Sequence, residues 1–572
     1  MTFFRLVIMR LVALCLCVFI AGCSIVGRDY LLQVTPQPKG TTTVFWPPSK
    51  AMYHFSLGVM HAFRGDNARA IEELKTALQA DPNSPEIVVE LISVYAEQGD
   101  FNMAVALGEE ALKRNGDNVP LNMLMGGLYI NARNYPKAIE RYRHVIFIDK
   151  GNTSAYLYMG MAYTELKDYP QALAAFEGVL AQEPNNFLGH YWRGRVLTQM
   201  GRLEEAAQAY KSILTFQPDQ DAALLELILI YERQNKQALA IETLTDFLIK
   251  YPKKTQVRMK LGELLLKEKR YAEAEKEFLR VLRTSPQNRE VRLTLGLMYL
   301  ESGKPEQAIE AFALLRRTYP EDHRFLYLEA AAYEEKKDFE TALRRLDEIP
   351  VTSELYGNAR IRMASILKRE RRVAEAISLM REAIKNKKEA SLYLYLSSLQ
   401  EGEKDLIAAA ETLKEGLLAL PGREDLLYSL GVIYEKQKRH EEAISQMYKI
   451  LEINPDNPEA LNFIGYSYAD RGIMLEQAEK MLKRALALKP DSGYILDSMG
   501  WLFYRQGKYA EAYEYLKKAL QLLPDDPTVN EHLGDILRAL NRSDEARLYY
   551  EKSIKLDPSN EEIKKKLDAI KN

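Results

Sequence analysis

Short apolar helical patterns alternate with polar turns along this chain, and the alternation recurs every 34 residues. Residues 153–186 show one full cycle. Tyr156, Met159, Gly160 and Tyr163 lie three or four apart, on one face of a helix. The stretch Leu166-Lys167-Asp168-Tyr169 reads as a turn. Ala172, Phe176 and Val179 then mark the inward face of a second helix. Pro184 closes the cycle, because proline lacks a backbone N–H and biases the residue before it away from helix.

The small residues keep the beat. Leu57-Gly58, Met159-Gly160, Leu261-Gly262, Leu295-Gly296, Leu430-Gly431 and Leu533-Gly534 occupy the same position of their units. Twelve residues after each glycine comes an alanine: Ala70, Ala172, Ala274, Ala308, Ala443 and Ala546. Glycine in mid-helix costs about 1 kcal/mol against alanine. Its recurrence therefore predicts a close crossing of two antiparallel helices. The alanine position is filled by alanine in all fifteen units.

At 572 residues, length alone suggests three or four globular domains. The repeats replace that expectation with a signal peptide over 1–22, a lipidated tether over 23–50, repeats over 51–560 and a closing helix over 561–572. The ninth unit meets Pro350 early and needs Val351–Tyr356 as a bridge, so a division into segments 51–349 and 350–560 is expected there. The tenth and eleventh units carry Ala364 and Ser397 where glycine is usual. The thirteenth holds one extra residue in the Ala469–Gln477 turn.

Within these residues nothing of domain size is left for a catalytic unit. The seven histidines are spread along the chain and show no metal spacing. There is no phosphate-binding loop and no G-x-S-x-G nucleophile turn. No enzyme activity, cofactor, metal or small-molecule substrate is expected. The formal charge of −2 becomes about −4 if Arg5 and Arg10 leave with the signal, which offers nothing to nucleic acid. The repeats contain no cysteine, so they need no disulfide and hold no thiolate metal site.

An apolar residue, then Leu-Gly, Tyr, Ala, Phe or Tyr, and a closing Pro at fixed offsets resembles the tetratricopeptide repeat over residues 51–560. The resemblance implies an all-α fold, a right-handed α-solenoid of about fifteen helix pairs. It also implies that the first helix of each pair lines a concave groove, at positions 2, 5, 9, 12 and 13 of the unit.

Most units place mixed residues there, and the last three are richer. They offer Asn462, Tyr466 and Asp470, then Tyr494, Asp497, Trp501, Tyr504 and Arg505, then Glu531, Asp535 and Arg538. Trp, Tyr and Arg are the usual anchors of protein interfaces. The alternative is that Trp501 and Tyr504 pack between helices. Position 9 is asparagine in no unit, which sets aside the carboxylate clamp of eukaryotic relatives. A second candidate surface is the basic tenth unit, with Arg360, Arg362, Lys368, Arg369, Arg371, Arg372, Arg381, Lys385, Lys387 and Lys388. The alternative there is a solvated turn.

The N-terminus suggests an address. Arg5 and Arg10 precede an apolar run, Leu11–Ile20, that is short for a membrane span of about 20 residues. Ile20-Ala21-Gly22-Cys23 resembles the bacterial lipobox, whose cysteine is acylated after cleavage. The alternatives are an ordinary cleaved signal or a plain anchor. Ser24, by resemblance to enteric lipoproteins, implies sorting to the outer membrane. Gly465–Gly472 and Gly493–Trp501 resemble the C-terminal signature of proteobacterial tetratricopeptide proteins.

The expectation is a membrane-anchored scaffold that holds protein partners for assembly or export of a surface structure, such as a secretion channel, pilus or polysaccharide exporter. The alternative is a chaperone-like holder of transiting outer-membrane proteins.

Overall fold

The computed structural model describes residues 49–571. They form thirty-one α-helices joined by short turns, with no strand among the described residues. Thirty of the helices make fifteen consecutive pairs, from Ser49–Phe63 with Asn67–Ala80 to Pro527–Ala539 with Ser543–Leu556. Glu561–Lys571 follows as a last single helix. The expected all-α, repeat-packed helix-pair architecture is thus the observed one. Cys23, Trp46, the expected signal peptide and the tether up to residue 48 lie outside the described residues.

Local chemistry sets the helix ends. Asp66, Asp100, Asn134 and Asp168 cap second helices by accepting a backbone N–H three residues on. Ser84, Asn118, Asn152 and Asn186 cap first helices in the same way. Each turn inside a pair has a left-handed residue at one register. Glycine fills it at Gly65, Gly99, Gly201, Gly303 and Gly507, and Lys, Arg or Asn elsewhere, as at Arg133 and Lys167. In the thirteenth pair the extra residue produces two such positions, Gly472 (φ 69°) and Met474 (φ 49°).

The small residues act as the pattern implied. A Cβ built on Gly160 would lie 2.6 Å from Phe176 Cε1, and one on Gly296 2.5 Å from Phe312 Cε1. Both of these glycines admit an aromatic ring from the partner helix, sixteen residues on. All fifteen phased alanines are 0% exposed, because any larger side chain there would push the helices apart. Ala364 and Ser397 are also buried, and the residues sixteen on are Met380 and Leu413 rather than rings.

The chain divides into two compact units, Met1–Pro286 and Gln287–Asn572. The described part of the first holds seven helix pairs, with a core cluster running from Ala62 to Ala155. The second holds eight pairs and the last helix. Within it, the second helix of the ninth pair is only nine residues, Phe339–Asp347. Ile349, 0% exposed, packs into a cluster with Leu346, Ala359 and Met363, and Tyr356 opens the next helix. The largest cluster of this unit runs from Leu427 to Leu567, through the last repeats.

Candidate functional site

The first helices of repeats thirteen to fifteen, Pro458–Arg471, Gly493–Arg505 and Pro527–Ala539, lie side by side as an inner layer. They carry all eleven groove residues expected from the sequence. A buried polar and aromatic network ties the three together.

Trp501 is 8% exposed, so it belongs to the packed layer and is not an open face. Its ring stacks on His532 at a centroid distance of 4.1 Å and on Tyr504 at 4.9 Å. Its Nε1–H donates to Asp470 Oδ1 at 3.0 Å, in the preceding repeat. Asp470 thereby holds both neighbours of the turn, since Arg505 donates to its backbone carbonyl.

Asp497, 7% exposed, accepts from Nδ1 of His532 at 2.9 and 3.1 Å. Burial alone would push this imidazole down. The charge and hydrogen bond of Asp497, helped by Asp535 and Glu531, overcome that and hold it above its ordinary value. Asp535 accepts from the Tyr550 hydroxyl at 2.6 Å and from Lys566 at 2.6 Å. Lys566 also donates to Glu531 at 2.6 Å, so the last helix is clamped onto the layer. Tyr466 lies 6.3 Å from the His532 ring, and burial followed by Asp470, Asp497 and Glu531 raises its hydroxyl pKa.

The eleven residues therefore separate into an engaged set, an open pair and a half-buried pair. Asp470, Asp497, Trp501, Tyr504, Arg505, Glu531 and Asp535 are engaged with one another or with His532, Tyr550 and Lys566. Tyr494, 61% exposed, and Arg538, also exposed, face solvent. Among the described residues no carboxylate reaches ion-pair distance of Arg538. Asn462 Oδ1 is buried with no hydrogen-bond partner, beside half-buried Tyr466. His532 and Lys566 were not singled out by sequence reasoning.

The basic tenth repeat reads differently in three dimensions. Arg360 pairs with Asp347, Arg362 and Arg369 with Glu334, and Arg372 with Glu340 and Glu375. Lys387 meets Glu389 at 2.7 Å. Five of the ten cations are thus answered, four of them by acids of the ninth repeat. Among the described residues no cluster of His, Cys, Asp and Glu could hold a metal ion, and no helix is long and apolar enough to cross a membrane.

Three family models match this chain, each described as tetratricopeptide repeat. One covers residues 42–85, 157–223, 225–289 and 498–561. The second covers 64–107, 95–159 and 265–332, and the third 424–457. A TPR repeat-containing protein of Pseudomonas aeruginosa is 32% identical over 188 residues, 32% of this chain and 31% of that protein. A photosystem I assembly protein of Cyanophora paradoxa is 30% identical over 112 residues, 18% of this chain and 61% of that one. The chain thus spans less than two thirds of the length of either relative. Among solved structures, a tetratricopeptide repeat protein from Parabacteroides merdae shares 16% identity, with 44% of this chain, 99% of that one and a TM-score of 0.32.

Proposed function

The chain belongs to the tetratricopeptide-repeat family, and from that premise we propose that it is a lipid-anchored scaffold of the bacterial envelope, holding protein partners during assembly or export of a surface structure. The coarser reading, a protein-interaction scaffold built of helix pairs, rests on the family itself.

The observation that carries the proposal is the inner layer of the last three repeats. Its charges are spent on one another, so the layer is pre-organised. Tyr494 and Arg538 remain open on it. A rigid face that exposes a tyrosine and an unanswered arginine is the kind of surface whose few anchors dominate binding. The anchor rests on Ile20-Ala21-Gly22-Cys23. That one relative is named an assembly protein supports a holding role in assembly. The division of the repeats into 51–349 and 350–560 is also part of the proposal, supported by the nine-residue helix before Pro350.

The test is capture of partners from solubilised membranes by the tagged protein. Tyr494→Ala with Arg538→Ala should lose the captured partner, by about 2 kcal/mol or more in affinity, with unchanged circular dichroism. Cys23→Ser should move the protein out of the membrane fraction. A double variant that captures the same proteins as wild type would place binding elsewhere, and a Cys23→Ser protein that stays in the membrane, together with wild type recovered uncleaved, would refute lipidation.

A further inference from the structure

The first helix, Ser49–Phe63, contains no acidic residue. Met52, Tyr53, Ser56 and Met60 are spaced three or four apart, apart from the adjacent 52 and 53, and so share one face. That face is open: Met52 is 49%, Tyr53 61% and Met60 37% exposed, and Phe63 at its end is 74% exposed. The opposite side, with Ala51, Gly58 and Ala62, is buried in the repeat.

The end of a repeat array needs a polar outer face. The other end of the chain obeys. Its last helix buries Ile563 and Leu567 and exposes Glu561, Glu562, Lys565 and Asp568. The first helix does the reverse. Its edge is cationic: at 100° per residue, Arg64 and Lys50 fall just beyond Tyr53, and both are exposed. Next to Lys50 around the helix lie two histidines that already meet carboxylates, His54 with Glu73 and His61 with Asp66.

The geometry points to an anionic phospholipid surface as the occupant of this face. A narrow apolar stripe, a tyrosine at its border, a Lys/Arg edge and no carboxylate is the chemistry of a helix lying in the bilayer interface. Met52 and Met60 enter among the upper acyl carbons, and Lys50 and Arg64 meet lipid phosphates. The inference rests on the proposed anchor at Cys23, 26 residues before Ser49. That length keeps the helix within roughly 90 Å of the bilayer even when fully extended. The helix thereby fixes which end of the repeats faces the membrane.

The test uses the acylated full-length protein on vesicles of phosphatidylglycerol and phosphatidylethanolamine that contain a photoreactive phospholipid. Adduct positions are read by mass spectrometry. Lipid adducts are expected on Met52, Tyr53 and Met60. They should fall about tenfold in Met52→Asp with Met60→Asp, and fall also on neutral phosphatidylcholine vesicles. The variant should keep its helical circular dichroism and still float with vesicles through Cys23. Wild type that floats without adducts on residues 49–63 overturns this inference alone. Wild type that does not float overturns the anchor as well. Protein cross-links from this helix to residues 24–48 or to a second copy, formed in place of lipid adducts, overturn it in favour of those occupants.

Discussion

Replacing Asp497 by asparagine removes the charge that raises the His532 pKa while leaving the shape of the layer intact. Both residues are under a tenth exposed, and the ring of Trp501 stacks directly on the imidazole. Removing one partner of a buried ion pair costs about 3–5 kcal/mol, because the other charge is left uncompensated. Asparagine keeps an acceptor for Nδ1–H, and His532 can escape by losing its proton. The expected loss is therefore smaller, about 2–3 kcal/mol at pH 6.

The sign of the pH dependence follows from the raised imidazole pKa. The groups facing it are Asp497, Asp535 and Glu531, with Tyr466 and Trp501 beside it. A pKa above the unfolded value of about 6.5 gives stability that is fully present below that value. It is lost as pH rises through the folded value, at about 1.4 kcal/mol for each unit of elevation. Wild type and Asp497→Asn should thus differ most near pH 6 and converge at alkaline pH. Urea unfolding followed by Trp501 fluorescence, in a chain with Trp46→Phe and Trp192→Phe, reports this layer alone. A gap that stays constant between pH 6 and pH 9 would refute a charged His532. No loss at any pH would show that the pair does not hold the layer.

Gly296→Ala puts a Cβ 2.5 Å from the Phe312 ring and should cost about 1–3 kcal/mol. Hydrogen exchange should rise in the eighth repeat and its neighbour and stay unchanged in the last three, since repeats contact only neighbours. Uniform loss of protection would contradict the repeat fold. Trp501→Ala removes a ring stacked between His532 and Tyr504 and leaves Asp470 Oδ1 without its donor. It should cost about 3–5 kcal/mol, with partner capture failing through lost structure. Retained helicity and stability would make Trp501 a contact residue instead. If the repeats divide at residue 350, limited proteolysis should cut first in Val351–Leu355, where Val351 is 42% exposed, and leave two resistant halves. First cuts elsewhere would move the boundary.

Most of the fold could be read from the sequence because it is written in small residues. Gly160 and Ala172 predict a close helix crossing on steric grounds, and fifteen copies in phase leave little freedom. The short ninth helix and the long thirteenth turn were equally legible, from Pro350 and from one inserted residue. The state of the groove residues was not. Position 9 is half-open in many units, as at Val59, Ser93 and Met161, yet Trp501 at that position is closed over by His532. Side-chain size and a neighbour in the next repeat decide exposure there, and position alone does not. The counter-charges of the basic tenth repeat were hidden in the same way, because Glu334, Glu340 and Asp347 belong to the repeat before it.

A signal for those partners does exist in the sequence, at one period plus one. Tyr191 meets Glu226, Lys436 meets Glu401, Arg505 meets the Asp470 carbonyl, His532 meets Asp497 and Lys566 meets Glu531, and each pair is 35 residues apart. Neighbouring first helices run side by side, so the residue one repeat on is slightly displaced along the axis. Complementary side chains 35 apart are therefore the inner-layer analogue of i, i+4 pairs along one helix. Three of the five fall between repeat thirteen and the last helix, and there they are reinforced by Trp501 and Tyr550. The same residue types that look like binding anchors are consumed in making this end of the layer stiff. Binding at this end then depends on the few groups left over, Tyr494 and Arg538, which gain from a surface whose ordering cost was met in folding.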